Sequence, residues 1–329
     1  MDRKDKMIKA LAITGPTASG KTALSIALAE ELECEIISCD SMQIYKGMDI
    51  GTAKATVKEQ GKIKHHMLNF LSPTENYSAQ SYRQDALAIA EDITKRGKIP
   101  LFVGGTGLYV DALVRGSLEC VPESSEEYRQ RVEEGIRTEE DKDALWQRLS
   151  EVDPTSAEQI HKNNVRRVIR ALEIYDATGK PKSYFDSLSK NSAPDIKIGI
   201  ITLDFHNRQT LYDRVDMRVD KMMEEGLLSE VRDLYESGCL TPDTTASQAI
   251  GYKEIIEHLK GEITLADAVE LIKLSSRRYA KRQLTWFRNK TNGAKIYLDG
   301  EDGKIRPLSL ILSEALNVSK QFLSENKDI

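Results

Sequence analysis

The sequence predicts an α/β protein, a parallel sheet with helices on both faces interrupted by an inserted helical domain. Three observations carry this. Apolar runs of strand length alternate with helix-period segments over the N-terminal third. A glycine-rich loop joins the first run to the first helix. Strand signal then disappears over residues 116–195 and returns afterwards. We therefore read 1–115 as the first part of the core, 116–195 as the insertion and 196–329 as the remainder of the core.

The first strand is Ala10–Thr14, followed by a helix whose Leu24, Leu28 and Leu32 fall at helical spacing. Glu35–Cys39 reads as the second strand and Ile99–Val103, stopped by Gly104-Gly105, as the third. Between them, Tyr82, Ala86, Ile89, Ala90 and Ile93 mark a helix over 79–96. In the insertion, 126–136, 143–149 and 165–175 read as helices, with Thr178-Gly179-Lys180-Pro181 as a stop. Ile196–Leu203 is a further buried strand, and 208–237 is one long amphipathic segment through Leu211, Val215, Val219, Met222, Leu227, Val231 and Leu234.

Of the 329 residues, 47 are Lys or Arg and 52 are Asp or Glu, so the net charge of −5 excludes a uniformly basic nucleic-acid coat. No stretch approaches the ~20 apolar residues of a membrane span, and the polar first six residues do not resemble a signal peptide. Cys34, Cys39, Cys120 and Cys239 lack metal-ligand spacing, and adjacent His65 and His66 point to different sides, which argues for structural or ligand-orienting roles. A reduced, cytoplasmic enzyme is expected. The charge is segregated, however. Acids including Glu119, Glu123, Glu133, Glu139 and Asp143 crowd 119–158, whereas Lys273, Arg277, Arg278, Lys281, Arg282, Arg288 and Lys290 occupy 273–290 without an acid. A second basic run is Lys162, Arg166, Arg167 and Arg170. Arg278, Lys281, Arg282 and Thr285 share one helical face beside Trp286 and Phe287, a pattern suited to a phosphodiester backbone.

Gly15–Thr22 (GPTASGKT) fits the phosphate-binding loop in its required context, after a strand and before a helix. Loop amides and the helix N-terminus form an anion site, Lys21 adds a point charge, and the Thr22 hydroxyl can ligate Mg²⁺. A di- or triphosphate ligand follows. The base-reading N-K-x-D of GTPases is missing from the sequence. Asp40 ends the second strand at the edge where ligands of parallel sheets collect, and could hold Mg²⁺, accept a proton or cap a turn. Gly104–Tyr109 (GGTGLY) brings a second glycine-rich turn to that edge, either for close approach of a ligand with Thr106 as hydrogen-bonding group or for packing alone.

These motifs, with DSMQIY at 40–45, MDIGTAK at 48–54, YSA at 77–79, RRVIRALE at 166–173, AIGYKE at 249–254 and YAKRQLTWFR at 279–288, resemble the bacterial tRNA dimethylallyltransferases in order across almost the whole chain. Departures are small: Asn164 and Asn207 stand where the family more often has Asp. The resemblance implies a P-loop nucleoside-triphosphate-hydrolase-like core with a helical insertion that clamps the tRNA anticodon arm. It implies transfer of a dimethylallyl group from dimethylallyl diphosphate to N6 of the adenosine immediately 3′ of the anticodon, by a monomer using Mg²⁺.

In that reading Gly15, Pro16, Thr17, Ala18, Ser19, Gly20, Lys21 and Thr22 hold the diphosphate, with Arg208 or Arg214 as a further contact and Mg²⁺ on Thr22. Asp40 is the expected general base, Thr106 orients the adenosine, and Lys21 stabilises the leaving group. Expected tRNA contacts are Asp40, Ser41, Met42, Gln43 and Thr106 at the sheet edge and Arg129, Arg166, Arg167 and Arg170 in the insertion. Gln248, Gly251, Tyr252, Lys253, Lys281, Arg282, Trp286 and Arg288 complete the set. The target base is expected to leave its stack. The alternatives are a P-loop kinase or adenylate isopentenyltransferase acting on a free nucleotide, which needs no paired basic surfaces, and a binding module without catalysis, which leaves Lys21, Asp40 and Thr22 unexplained together.

Overall fold

The computed structural model describes residues 7–114, 125–191, 195–242 and 244–325. The polar first six residues, the boundary at Arg115 and Gly116, and Glu119, Cys120 and Glu123 lie outside them. The chain divides into two compact units, one built from 1–114 with 196–329 and the other from 115–195.

In the first unit the elements run β1 (Ile8–Thr14), α1 (Lys21–Leu32), β2 (Cys34–Ser38), α2 (Val57–Gln60), β3 (His65–His66), α3 (Ala79–Lys95), β4 (Ile99–Gly104) and α4 (Gly107–Val114). The second unit holds α5 (Glu126–Glu134), α6 (Glu139–Val152), α7 (Pro154–Gln159), α8 (Val165–Thr178) and α9 (Lys182–Asn191). The first unit resumes with β5 (Ile196–Asp204), α10 (Arg208–Glu224), α11 (Leu227–Glu236), α12 (Tyr252–Leu259), α13 (Leu265–Lys290), β6 (Ala294–Tyr297) and α14 (Leu308–Ser324).

All six strands are parallel, in the order β3-β2-β4-β1-β5-β6. Because both faces are covered, the central strands read as unbroken apolar runs. Leu11 and Ile13 pack on one face with Leu24 and Leu28 of α1, Leu211 of α10 and Ile311 of α14. Ala10 and Ala12 pack on the other with Tyr82 and Ala86 of α3, Val110 of α4 and Phe287 of α13. A third apolar cluster beyond the sheet edge joins Ile44, Tyr45 and Met48 to Val219, Met222, Leu227, Tyr252 and Ile272. The second unit has its own small core of Leu149, Ala157, Ile160, Val168, Ala171 and Leu172.

The expected single segment over 208–237 is two helices, because Gly226 adopts φ 104° and breaks the hydrogen-bond ladder between α10 and α11. Strands β3 and β6 were not expected from the sequence; at two and four residues they are too short to show a period. His65 and His66 form β3 itself. The His66 ring bonds Glu35 at 2.9 Å and the His65 ring meets the Ile63 carbonyl at 2.6 Å, so both are structural. Asn207 caps α10 by accepting from the Gln209 N–H at 2.8 Å, whereas Asn164 starts α8 without a side-chain cap.

Candidate active site

Strand register builds the site. Thr14 pairs with Gly104 and Ser38 with Val103, so the chain leaves β1, β2 and β4 at one level. The phosphate loop, residues 39–42 and the 105–107 turn are therefore neighbours, tied by the Thr106 N–H donating to the Cys39 carbonyl at 3.1 Å. Gly15 has φ 147° and lies so close to β5 that a Cβ would stand 2.9 Å from the Leu203 carbonyl oxygen. Ala18 and Gly20 adopt φ 61° and 78°, the left-handed turns of a loop that gathers successive amides around an anion. Lys21 opens α1 and reaches back to the Gly15 and Pro16 carbonyls at 3.0 and 2.6 Å.

The loop is held from two further helices. Gln283 of α13 accepts from the Thr17 N–H at 2.8 Å and donates to the Gly105 carbonyl at 2.9 Å, joining the two glycine-rich turns through one buried amide. Arg214 of α10 donates to the Ala18 carbonyl at 2.9 Å. Arg218, one turn further along α10, lies in the cavity and faces both Lys21 and Asp40. Burial lowers the Lys21 ammonium to about 7, with help from the positive Arg218 and opposed by Asp40. Burial likewise lowers the Arg218 and Arg214 guanidinium pKa values, with Asp40 opposing at Arg218.

Asp40 follows β2. Its Oδ1 accepts from the Met42 N–H at 2.9 Å, so the turn-capping role is present in the geometry. That bond uses one oxygen; among the described residues Oδ2 makes no hydrogen bond and is left for chemistry. Thr106 Oγ1 accepts from the Ser41 N–H at 3.1 Å, fixing its hydroxyl beside the Asp40 turn. Burial, with Asp40 nearby, pushes the Tyr279 hydroxyl up to about 12. A cavity of about 320 Å³ opens here, with Thr17, Asp40, Arg218 and Arg282 among its polar residues and Val215, Val219, Met222, Leu227 and Ile272 as an apolar wall.

Four expected contacts are also engaged within the protein. Tyr252 is buried, gives its hydroxyl to Glu230 at 2.6 Å and lines the cavity. Gln43 accepts from Ser38 and donates to the Thr52 and Ala53 carbonyls. Arg288 forms a two-pronged pair with the buried Asp204 at 2.8 and 2.6 Å. Trp286 is half-buried against Gly107, where a Cβ would come within 2.5 Å of its ring. The glycines of the second turn thus serve packing: Gly104 against Cys39, Gly105 against Gln283 and Gly107 against Trp286. Arg208 is corrected. It lies exposed in the first turn of α10 and makes no hydrogen bond or ion pair with the phosphate loop, which Arg214 reaches instead.

The basic surfaces are thinned in the same way. Arg277 and Lys273 pair with Asp216 and Asp220 of α10 at 2.5 and 2.7 Å. Arg278, Lys281 and Arg282 stay exposed on α13, with Arg282 stacked 5.6 Å from the Tyr279 ring and reaching the cavity. In the second unit Arg166 is 89% exposed and lies 3.9 Å from Glu133, Arg167 is exposed, Arg170 pairs with Glu173, and Arg129 pairs with Glu126 at 3.2 Å. Gln248 and Gly251 line the cavity, and Lys253 lies 3.6 Å from Glu254. Sequence reasoning missed Arg218, Gln283 and Tyr279. Arg218 could have been found from its i+4 spacing to Arg214; the other two lie inside the YAKRQLTWFR stretch but face inward.

Thr22 and Ser19 supply hydroxyl oxygens at the loop, and the buried Ser19 Oγ has no hydrogen-bond partner. Among the described residues no cluster of three or more His, Cys, Asp or Glu could hold a metal on its own. A hydroxyl-lined loop of this kind fits a divalent ion shared with phosphate oxygens. No helix among the described residues is long and apolar enough to cross a membrane.

A family model described as IPP transferase matches residues 43–290, and one described as isopentenyl transferase matches residues 8–73. The chain is 46% identical over 282 residues to the tRNA dimethylallyltransferase of Thermoanaerobacter sp. (strain X514), covering 85% of this chain and 89% of the relative. To that of Bacillus cytotoxicus it is 46% identical over 297 residues, covering 90% and 92%. Among solved structures it is similar to the full-length tRNA isopentenylpyrophosphate transferase from Bacillus halodurans, with TM-score 0.69, 41% identity and 97% of each chain covered. A eukaryotic dimethylallyltransferase acting on tRNA matches with TM-score 0.80 and 32% identity over 96% of this chain and 80% of its own. With this sheet, this loop and these relatives, the chain belongs to the tRNA dimethylallyltransferase family.

Proposed function

We propose that this cavity transfers a dimethylallyl group from dimethylallyl diphosphate to N6 of the adenosine immediately 3′ of the anticodon in tRNA, releasing diphosphate. The observation that carries the reading is one cavity in which the carboxylate of Asp40 faces the phosphate loop and Arg218 while an apolar wall runs alongside. The loop amides, Lys21, Arg214 and Arg218 hold the diphosphate. An anion seated there favours the charged form of Lys21, which burial disfavours. Val215, Val219 and Met222 on α10 pack the five-carbon allyl tail. Thr22 would hold Mg²⁺, which would supply charge neutralisation of the diphosphate.

The target base leaves its stack and enters the cavity beside Thr106. The N6 lone pair forms the C–N bond as the C–O bond to diphosphate breaks, and the electron pair of that bond leaves on the phosphate oxygen. The amine proton becomes acidic as the nitrogen gives up its lone pair, so a carboxylate can accept it. Asp40 takes it on the oxygen that the Met42 bond leaves unused. Lys21 and the arginines stabilise the charge that develops on the leaving group.

Arg278, Lys281 and Arg282 of α13, with Arg166 and Arg167 of the second unit, are exposed cations suited to RNA phosphates. We take the second unit as the clamp on the anticodon arm of a monomeric enzyme, acting in the cytoplasm where tRNA is processed. The test is incubation with unmodified tRNA, or with AMP, and labelled dimethylallyl diphosphate. Label in tRNA and none in AMP is expected; label in AMP alone would replace this reading with a free-nucleotide enzyme.

A further inference from the structure

The wall of the cavity formed by Gly51 and Thr52 is held by an acid outside the residues given a role above. Asp49, Ile50 and Gly51 turn three successive N–H groups toward one point, and Glu230 of α11 occupies it. Its Oε2 accepts from Asp49 and Ile50 at 2.9 and 2.7 Å, and its Oε1 accepts from Gly51 at 3.1 Å. The same Oε1 accepts from the Tyr252 hydroxyl at 2.6 Å. The Tyr252 ring lies directly on Gly51, where a Cβ would come within 2.5 Å of it. Tyr252 also begins α12, immediately after the 248–251 turn that lines the opposite part of the cavity.

One residue beyond this nest, the Thr52 carbonyl accepts from Arg218 at 3.4 Å and from Gln43 at 3.2 Å. Lys54 secures the loop's far end by donating to the Tyr45 carbonyl at 2.8 Å and to Asp49 at 2.6 Å. A carboxylate is the side chain that accepts on both oxygens and donates on neither, so it alone satisfies three converging N–H groups and a hydroxyl. Packing needs no charge at this point. What the charge achieves is a fixed distance between two walls that arrive from distant parts of the chain.

We propose that Glu230 is a positioning residue for the transfer reaction. It holds the Thr52 carbonyl, and through it the Arg218 guanidinium, in register with the 248–252 turn. The proposal rests on the reading of Arg218 as a diphosphate contact. A side chain that fixes the supporting layer of a site acts through distance, and a misplacement near 1 Å can cost about 100-fold in rate.

The test uses the full-length protein and the variants Glu230→Gln and Tyr252→Phe. For each, the folded fraction and melting temperature are measured with kcat and KM for both substrates per folded molecule. Affinity for Mg²⁺-pyrophosphate is measured by calorimetry, which needs no transfer reaction. The amide of Glu230→Gln turns an N–H₂ toward a backbone donor, so pyrophosphate binding should weaken about fivefold and kcat/KM fall about 10- to 100-fold. Tyr252→Phe removes one donor and keeps the three backbone bonds, so it should move the same quantities in the same direction by less. The double variant should be little worse than Glu230→Gln, because both act on one contact. A lowered melting temperature with wild-type kcat/KM and pyrophosphate affinity per folded molecule would overturn the proposal and leave Glu230 a structural residue. If Glu230→Gln does not fold, Tyr252→Phe decides on the same readouts. A wild-type protein inactive on RNA, with pyrophosphate binding still weakened in the variants, would remove the functional reading and leave the positioning role standing.

Discussion

Replacing Gln283 by Leu removes the amide that joins the two glycine-rich turns while keeping the side chain's size. In the structure that amide serves the Thr17 N–H at 2.8 Å and the Gly105 carbonyl at 2.9 Å, and the residue is buried. Leucine satisfies neither group. Each buried backbone group left without a partner costs about 1–3 kcal/mol, so the pair should cost about 2–4 kcal/mol after some recovery from apolar packing. For a core of this size that is a fall in melting temperature of roughly 5–15 °C. A second effect falls on function. Thr17 sits in the phosphate loop, and an N–H no longer held from behind lets the loop amides drift from the diphosphate. Circular dichroism melts and the KM for dimethylallyl diphosphate measure the two effects separately. KM should rise about tenfold, the equivalent of about 1.4 kcal/mol. An unchanged melting temperature together with an unchanged donor KM would refute the bridge.

Three further outcomes follow from the same geometry. Lys21→Ala should abolish transfer while leaving tRNA binding nearly intact, as gel-shift and turnover assays would show; full activity at saturating donor would count against the leaving-group role. Lys281→Ala with Arg282→Ala should weaken tRNA binding and shrink the slope of log K against log salt by about 0.7–0.9 for each phosphate no longer neutralised. An unaltered slope would mean that this exposed face is merely solvated. Glu35 is buried beneath Arg96, His66 and Lys98, and the hydrogen bond from Arg96 holds its carboxyl well below the usual carboxylate range. A depressed folded pKa stabilises the fold above the unfolded pKa of about 4.3 and loses that contribution as pH falls further. Glu35→Gln should therefore lose about 1–3 kcal/mol at neutral pH in urea titrations, with the gap to wild type closing below about pH 4.

What the sequence made legible is what lies contiguous in it. The phosphate loop, the acid two residues beyond β2 and the loss of strand signal after the fourth helix all declare themselves within short windows. Contacts across long separations do not. Gln283 meets Thr17 across 266 positions, and Glu230 meets Asp49 across 181, so neither role has a local signature. Residue type also leaves burial open. Arg288 and Lys281 look equivalent in the basic run, yet one faces a buried aspartate and the other faces water. Tyr252 and Trp286 are expected as tRNA contacts, and nothing local in the sequence shows that each also fills the space left by a glycine on a neighbouring turn. Arg218 is hidden for a different reason: on a helix with an apolar stripe, a cation beside Val215 and Val219 looks like part of the solvated face.

The central claim is that Asp40 takes the proton from the attacking amine. Asp40→Asn keeps the shape, the turn-capping bond to Met42 and a hydrogen bond to the amine, but it cannot accept that proton. The decisive measurement is the single-turnover rate of dimethylallyl transfer to tRNA by Asp40→Asn across a Mg²⁺ series, with donor and tRNA affinities determined alongside. The rate should fall about 10²–10⁴-fold, with affinities changed far less and no rescue by Mg²⁺. A near-wild-type rate would contradict it by leaving Asp40 a turn cap, and weakened donor binding restored by added Mg²⁺ would make it a metal ligand instead.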